Sequence, residues 1–67
     1  MATVYIVLLN DRPMHVCESP STARTRLAAL RAKRRGPWSD RTEGSLPKWR
    51  NEDSGDNIWV EAWELEQ

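Results

Sequence analysis

The chain has 67 residues, with ten basic and ten acidic side chains, four tryptophans, one cysteine and one histidine. A domain of about 60 residues buries only roughly 60% of its unfolded surface, and the usual supplements are disulfides or a structural metal. With Cys17 and His15 alone, neither an internal disulfide nor a zinc site can be assembled. The expectation is a single domain, 1–67, without metal or cofactor, stabilised by an efficient core or by self-association.

Val4-Tyr5-Ile6-Val7-Leu8-Leu9 is a continuous β-branched and apolar run, which predicts a strand over 3–9 covered on both faces. It is far shorter than the roughly 20 residues that cross a bilayer. It also lacks the basic flank and cleavage site of a signal peptide. With one unpaired cysteine, the chain is expected to be soluble and cytoplasmic.

Asn10-Asp11-Arg12-Pro13 is turn chemistry, and a second strand is expected over 14–18, on a sheet edge because of Pro13. Ser19 can cap a helix whose first position suits Pro20. The helix should run over 20–34 and stop at Gly36 and Pro37. Ala23, Leu27 and Leu30 form its apolar stripe, and its last turn is basic, complementing the helix dipole.

Residues 36–56 hold Gly36, Pro37, Gly44, Pro47 and Gly55 among polar residues, with no periodicity. They are expected to form a long loop, an uncommon feature that is usually functional. The final strand is expected over 57–65, with Ile58, Val60 and Ala62 on one side and Trp59, Glu61, Trp63 and Leu65 on the other. Which side meets the helix stays open, and a bulge near Ala62 could switch it. The fold class is therefore α+β, β-β-α-β. It has a three-stranded antiparallel sheet of order 2-1-3, with the first strand in the middle and one helix on one face.

Val4-Tyr5-Ile6-Val7 at the start, Glu18-Ser19-Pro20-Ser21-Thr22-Ala23 before the helix and Trp59-Val60-Glu61-Ala62-Trp63-Glu64-Leu65 at the end form a pattern. It resembles that of small uncharacterised proteins of actinobacteria and their bacteriophages. The resemblance covers the two ends and the helix start. It implies the β-β-α-β arrangement, and a phage origin would imply a small modulator or inhibitor of a host protein. It supplies no catalytic residue, cofactor or partner.

Candidate chemistry is sparse. His15 and Cys17 share one strand face, but a nucleophilic dyad needs hydrogen-bond contact and a third orienting group. Glu52/Asp53 and the series Glu61, Glu64, Glu66 would need a desolvated cleft for acid–base work. Otherwise they are solvated or paired with arginine. No glycine-rich phosphate loop follows any strand. The reading is non-enzymatic.

Charge is uneven: residues 20–50 carry a net charge of plus seven and residues 51–67 of minus six. The cluster Arg24, Arg26, Arg31, Lys33, Arg34, Arg35, Lys48 and Arg50 lies near Trp38 and Trp49. It could grip phosphates while indoles stack on bases, or it could pair with the acidic segment or a partner. Leftover apolar surface is the stronger signal. One helix shelters one sheet face, while Val4, Ile6 and Leu8 and two tryptophans fall on another. The face needs cover from the 36–56 loop, a second copy in a homodimer, or a partner. The expected function is a non-catalytic protein-binding module using Trp38, Trp49, Trp59, Trp63, Arg31, Arg34 and Arg35. The alternative is a DNA- or RNA-binding protein using the arginine-rich helix and the tryptophan-containing loop.

Overall fold

The computed structural model describes residues 2–65. In chain order the elements are β1 (Ala2–Leu9), β2 (Arg12–Cys17), α1 (Pro20–Lys33), β3 (Trp38–Asp40), β4 (Lys48–Asn51) and β5 (Asn57–Leu65). The strands make one five-stranded sheet of order β2-β1-β5-β4-β3, and every adjacent pair is antiparallel. The helix packs on one face only.

The fold is α+β with one helix, but the three-stranded sheet of order 2-1-3 is overturned. The segment 36–56 is not a loop; it contributes β3 and β4, which extend the sheet past β5. The middle position belongs to β5, not to the first strand. Along β1 no residue from Val4 to Leu9 is exposed: Val7, Leu8 and Leu9 are buried and Val4, Tyr5 and Ile6 half-buried, with the helix on the side of Val7 and Leu9.

Local chemistry accounts for each element. Asn10 and Asp11 take φ of 49° and 69°, as both central residues of a tight type I′ hairpin must, and Leu9 pairs with Arg12 across them. The register of β2 shifts between Val7 and Leu8, which face His15 and Pro13 and leave Met14 as the extra residue. The proline and the bulge both sit on an edge strand, where a missing donor costs little. Ser19 caps α1, its hydroxyl accepting from the Thr22 N–H at 3.2 Å. At the other end, the Trp38 indole donates to the carbonyls of Arg31 and Arg34 at 3.2 and 3.3 Å, satisfying groups that a helix terminus leaves unpaired.

The core lies between α1 and the sheet: Ala23 and Leu27 from the helix meet Val7, Leu9, Cys17, Ile58 and Val60. Tyr5, Leu30, Trp38, Leu46 and Trp49 close its margins. The β1–β5 ladder runs without interruption from Ala2 opposite Leu65 to Leu9 opposite Ile58. Ile58 and Val60 therefore face the helix, Trp59, Glu61, Trp63 and Leu65 face away, and no bulge forms at Ala62.

The region 36–56 is organised by polar contacts. Asn51 is 1% exposed; its amide donates to the Arg35 carbonyl, and its Oδ1 accepts from the N–H groups of Asp53 and Ser54 at 2.9 and 3.0 Å. The Arg31 guanidinium lies over the Trp49 ring, 4.3 Å from its centroid. These contacts tie β4 to α1 and to the chain that leaves it.

The sheet narrows at one end. β4 pairs with β5 only from Asn57 to Trp59, and β2 reaches along β1 only to Tyr5. Beyond them, Ala2–Val4 and Trp63–Leu65 form a ribbon two strands wide, in a molecule measuring 41 × 21 × 20 Å.

Candidate functional site

The helix-free face of the sheet is built by alternation. Side chains on directly opposed antiparallel residues share a face, so the pairs Leu8–Trp59, Ile6–Glu61, Val4–Trp63 and Ala2–Leu65 form two adjacent rows across β1 and β5. Val16 joins them opposite Ile6, and Lys48 stands beside Trp59. Among the described residues, no helix or loop layer lies over these rows. Val16 is 67% exposed, Trp63 53% and Leu65 46%, whereas Val4, Ile6 and Trp59 are half-buried by their neighbours in the sheet.

Glu61 organises the centre of this face. Its Oε1 accepts from the Trp59 indole at 3.0 Å and its Oε2 from the Trp63 indole at 2.9 Å. Residues two apart on a strand project from the same side at about 7 Å spacing by strand rise, which suits one carboxylate bridging two indoles. The indole N–H groups, Trp59 first and Trp63 second, hold the Glu61 carboxyl below its ordinary pKa against a weak opposing desolvation. The carboxylate in turn fixes the direction of both rings.

The residues expected to act together are divided. Trp59 and Trp63 lie on the helix-free face, while Trp38 and Trp49 pack against the core on the helix side. Arg31 stacks on Trp49. Arg34 pairs with Asp56 at 2.9 Å, and the Arg35 carbonyl receives Asn51. Trp38, Trp49 and Arg31 thus help join α1 to β3 and β4, Arg34 joins its end to the β4–β5 turn, and Arg35 takes part through its backbone carbonyl. Among the described residues, the segment 36–56 leaves Val16, Trp63 and Leu65 exposed. Glu61 was expected to be solvated or paired with arginine; it is taken by indoles, and the ion pairs among the described residues are Arg34–Asp56 and Arg41–Glu52. Both join the basic and acidic segments. Glu66 lies outside the described residues.

The catalytic candidates do not assemble. Cys17 is a buried core residue, and among the described residues no hydrogen bond joins it to His15. Four carboxyls are displaced in their titration, all downward. Asp40 is lowered first by the Thr42 hydroxyl, Glu52 by Arg41 and Asp56 by Asn10. Among the described residues, no group of three or more His, Cys, Asp or Glu side chains is placed to hold a metal. No helix among them is long and apolar enough to cross a membrane.

The spacing Trp59-x-Glu61-x-Trp63 was visible beforehand; its meaning as a bridge required knowing that strand side faced away from α1. Comparison with protein-family models, with curated proteins and with solved structures found no match.

Proposed function

We propose that the chain is a non-catalytic protein-binding module that docks a partner on the helix-free face of its sheet. The observation that supports this most is the Trp59–Glu61–Trp63 bridge beside Val4, Ile6 and Val16. Tryptophan anchors interfaces because a large apolar area is buried with few rotatable bonds. Rings already held by a carboxylate lose less freedom on docking. In this reading the partner is a cytoplasmic protein, since Cys17 is unpaired. If the chain is phage-encoded, one of the two sources that the sequence resemblance offers, the partner belongs to the host.

The nucleic-acid alternative draws support from Lys48 and Arg50 on strand β4, on the same face as Trp59. Against it, Glu61 places an anion between the Trp59 and Trp63 indoles, and Arg31 covers the Trp49 ring that a base would need. Protein binding is the better fit.

The test is affinity capture from the producing cell with the native chain, Val16→Asp, Trp63→Ala and Arg34→Ala, alongside a mass measurement in solution. Loss of the partner with the first two variants and retention with Arg34→Ala supports the reading. A ligand that is lost to nuclease or to moderate salt, and not to Val16→Asp, supports nucleic acid instead. A dimer that Val16→Asp dissociates would place a second copy on the face.

A further inference from the structure

We infer that the rim of β5 from Glu61 to Leu65 receives an extended, basic strand of a partner protein as an added strand of the sheet. The inference rests on the protein-binding reading and names a second contact, made by backbone at the rim and not by side chains on the face.

The rim is open by construction. The Val60 N–H donates to the Pro47 carbonyl at 3.1 Å, so the polar backbone of Val60 points toward the β4 side. Alternation along the strand places the N–H and C=O groups of Ala62 and Glu64 on that same side. The β4 ladder stops at Trp59, and among the described residues no other strand takes over. Four hydrogen-bonding groups therefore stand in a row along the exposed residues 62–65, the geometry that strand addition uses. This half of β5 rests only on the end of β1, and an isolated two-stranded ribbon is marginal in water. A third strand would bring it to the width of the rest of the sheet.

The entrance to the rim is already shaped. A cavity of about 530 Å³ lies where β4 parts from β5, with Leu46, Pro47, Val60 and Ala62 among its walls. Its outer wall is pinned: Arg24 donates to the Ser45 carbonyl at 2.8 Å, and Leu46 packs against the core. An incoming strand meets a fixed stop at Pro47 and has β5 from Glu61 onward to pair with.

Charge selects the guest. Glu64 stands on the rim on the same face as Ala62, and Glu43 lines the cavity with Lys48 as the base in its lining; Glu61 lies on the other face, where both its oxygens accept from indoles. A second copy pairing antiparallel on this rim would bring the acidic side chains of both strands together, an arrangement that protects edges from self-association. A basic guest is favoured by the same charges. Guest side chains opposite Ala62 and Glu64 fall on one face and want Lys or Arg. The one opposite Trp63 falls on the other face and wants a β-branched or aromatic residue. The partner segment alternates basic and apolar residues.

The experiment is backbone amide exchange of the full chain with the capped peptide Thr-Lys-Val-Lys-Val-Lys-Thr, and with its counterpart carrying Glu for Lys. At free peptide about ten times its Kd, exchange at Ala62 and Glu64 should slow about tenfold, while the amides of β2, the opposite rim, keep their rates. The acidic peptide should slow neither, and Glu64→Lys should shift the preference toward it. Val16→Asp, which spoils the face, should leave this protection intact, so the two readings can fail separately. Equal slowing by both peptides, slowing confined to β2 or an unchanged preference in Glu64→Lys would overturn the inference. So would slowing without peptide that grows with protein concentration, which would make the occupant a second copy.

Discussion

Replacing Asn51 with alanine removes the hub that turns the 36–56 segment into strands. The side chain is 1% exposed and makes one donor bond to the Arg35 carbonyl and two acceptor bonds from the Asp53 and Ser54 N–H groups. An intramolecular hydrogen bond contributes roughly 0.5–1.5 kcal/mol net, and more when its loss strands a shielded partner. Three such bonds give an expected loss of about 2–4 kcal/mol, against a total of about 3–10 kcal/mol at 0.05–0.15 kcal/mol per residue. For a domain of this size that corresponds to a drop in Tm on the order of 15 °C. The assay is urea and thermal unfolding followed by tryptophan fluorescence, with amide exchange across β3 and β4. Exchange should accelerate there before it does in β1 and β2, because Asn51 ties β4 to the chain leaving α1. A loss under about 0.5 kcal/mol, the range of ordinary surface substitutions, would refute the claim that this network holds the strands.

Three further outcomes are expected. The Glu61 carboxyl has its folded pKa lowered by the two indoles. Its contribution to stability is therefore fully present above the ordinary value of 4.5 and is lost as the pH falls through the lower folded value; acid titration of the indole N–H resonances of Trp59 and Trp63 should report that step, and Glu61→Gln should abolish it. Arg31→Ala removes the cation stacked on Trp49 and should cost about 0.5–1 kcal/mol in thermal melts, with Arg31→Lys recovering part of it. Leu27→Ala opens the centre of the core and should cost about 2–5 kcal/mol in urea unfolding, far more than Arg34→Ala, which removes a solvent-screened pair with Asp56 and should leave the unfolding midpoint nearly unchanged.

The elements with a strong local signal were legible in the residues. Ser19-Pro20 marked the helix start, Ala23, Leu27 and Leu30 marked its buried stripe, and Asn10-Asp11 marked the hairpin turn. The division of β5 into two faces was also visible, although alternation alone does not say which face meets a helix. β3 and β4 were hidden because they are short and are held by Asn51, by the Trp38 indole on the helix end and by Arg31 on Trp49. None of these contacts leaves a hydrophobic period. The same cause hid the structural contacts of Trp38 and Trp49, whose neighbours in space a sequence does not show. Which residues of β1 share the helix-free side was legible, because that division requires only strand alternation; that Val4 and Ile6 are half-buried there and Leu8 buried was not.

Placing β5 at the centre of the sheet has a consequence for how the molecule comes together. It follows every other element in chain order, yet it joins the β1–β2 hairpin to the β3–β4 hairpin. Asn10 meets Asp56 and Asn57 across the same seam. Until β5 has left the ribosome there are two hairpins and a helix with no common floor, and the native sheet can close only when synthesis has passed this segment. A chain arrested before Asn57 should therefore be protease-sensitive throughout, and not half folded.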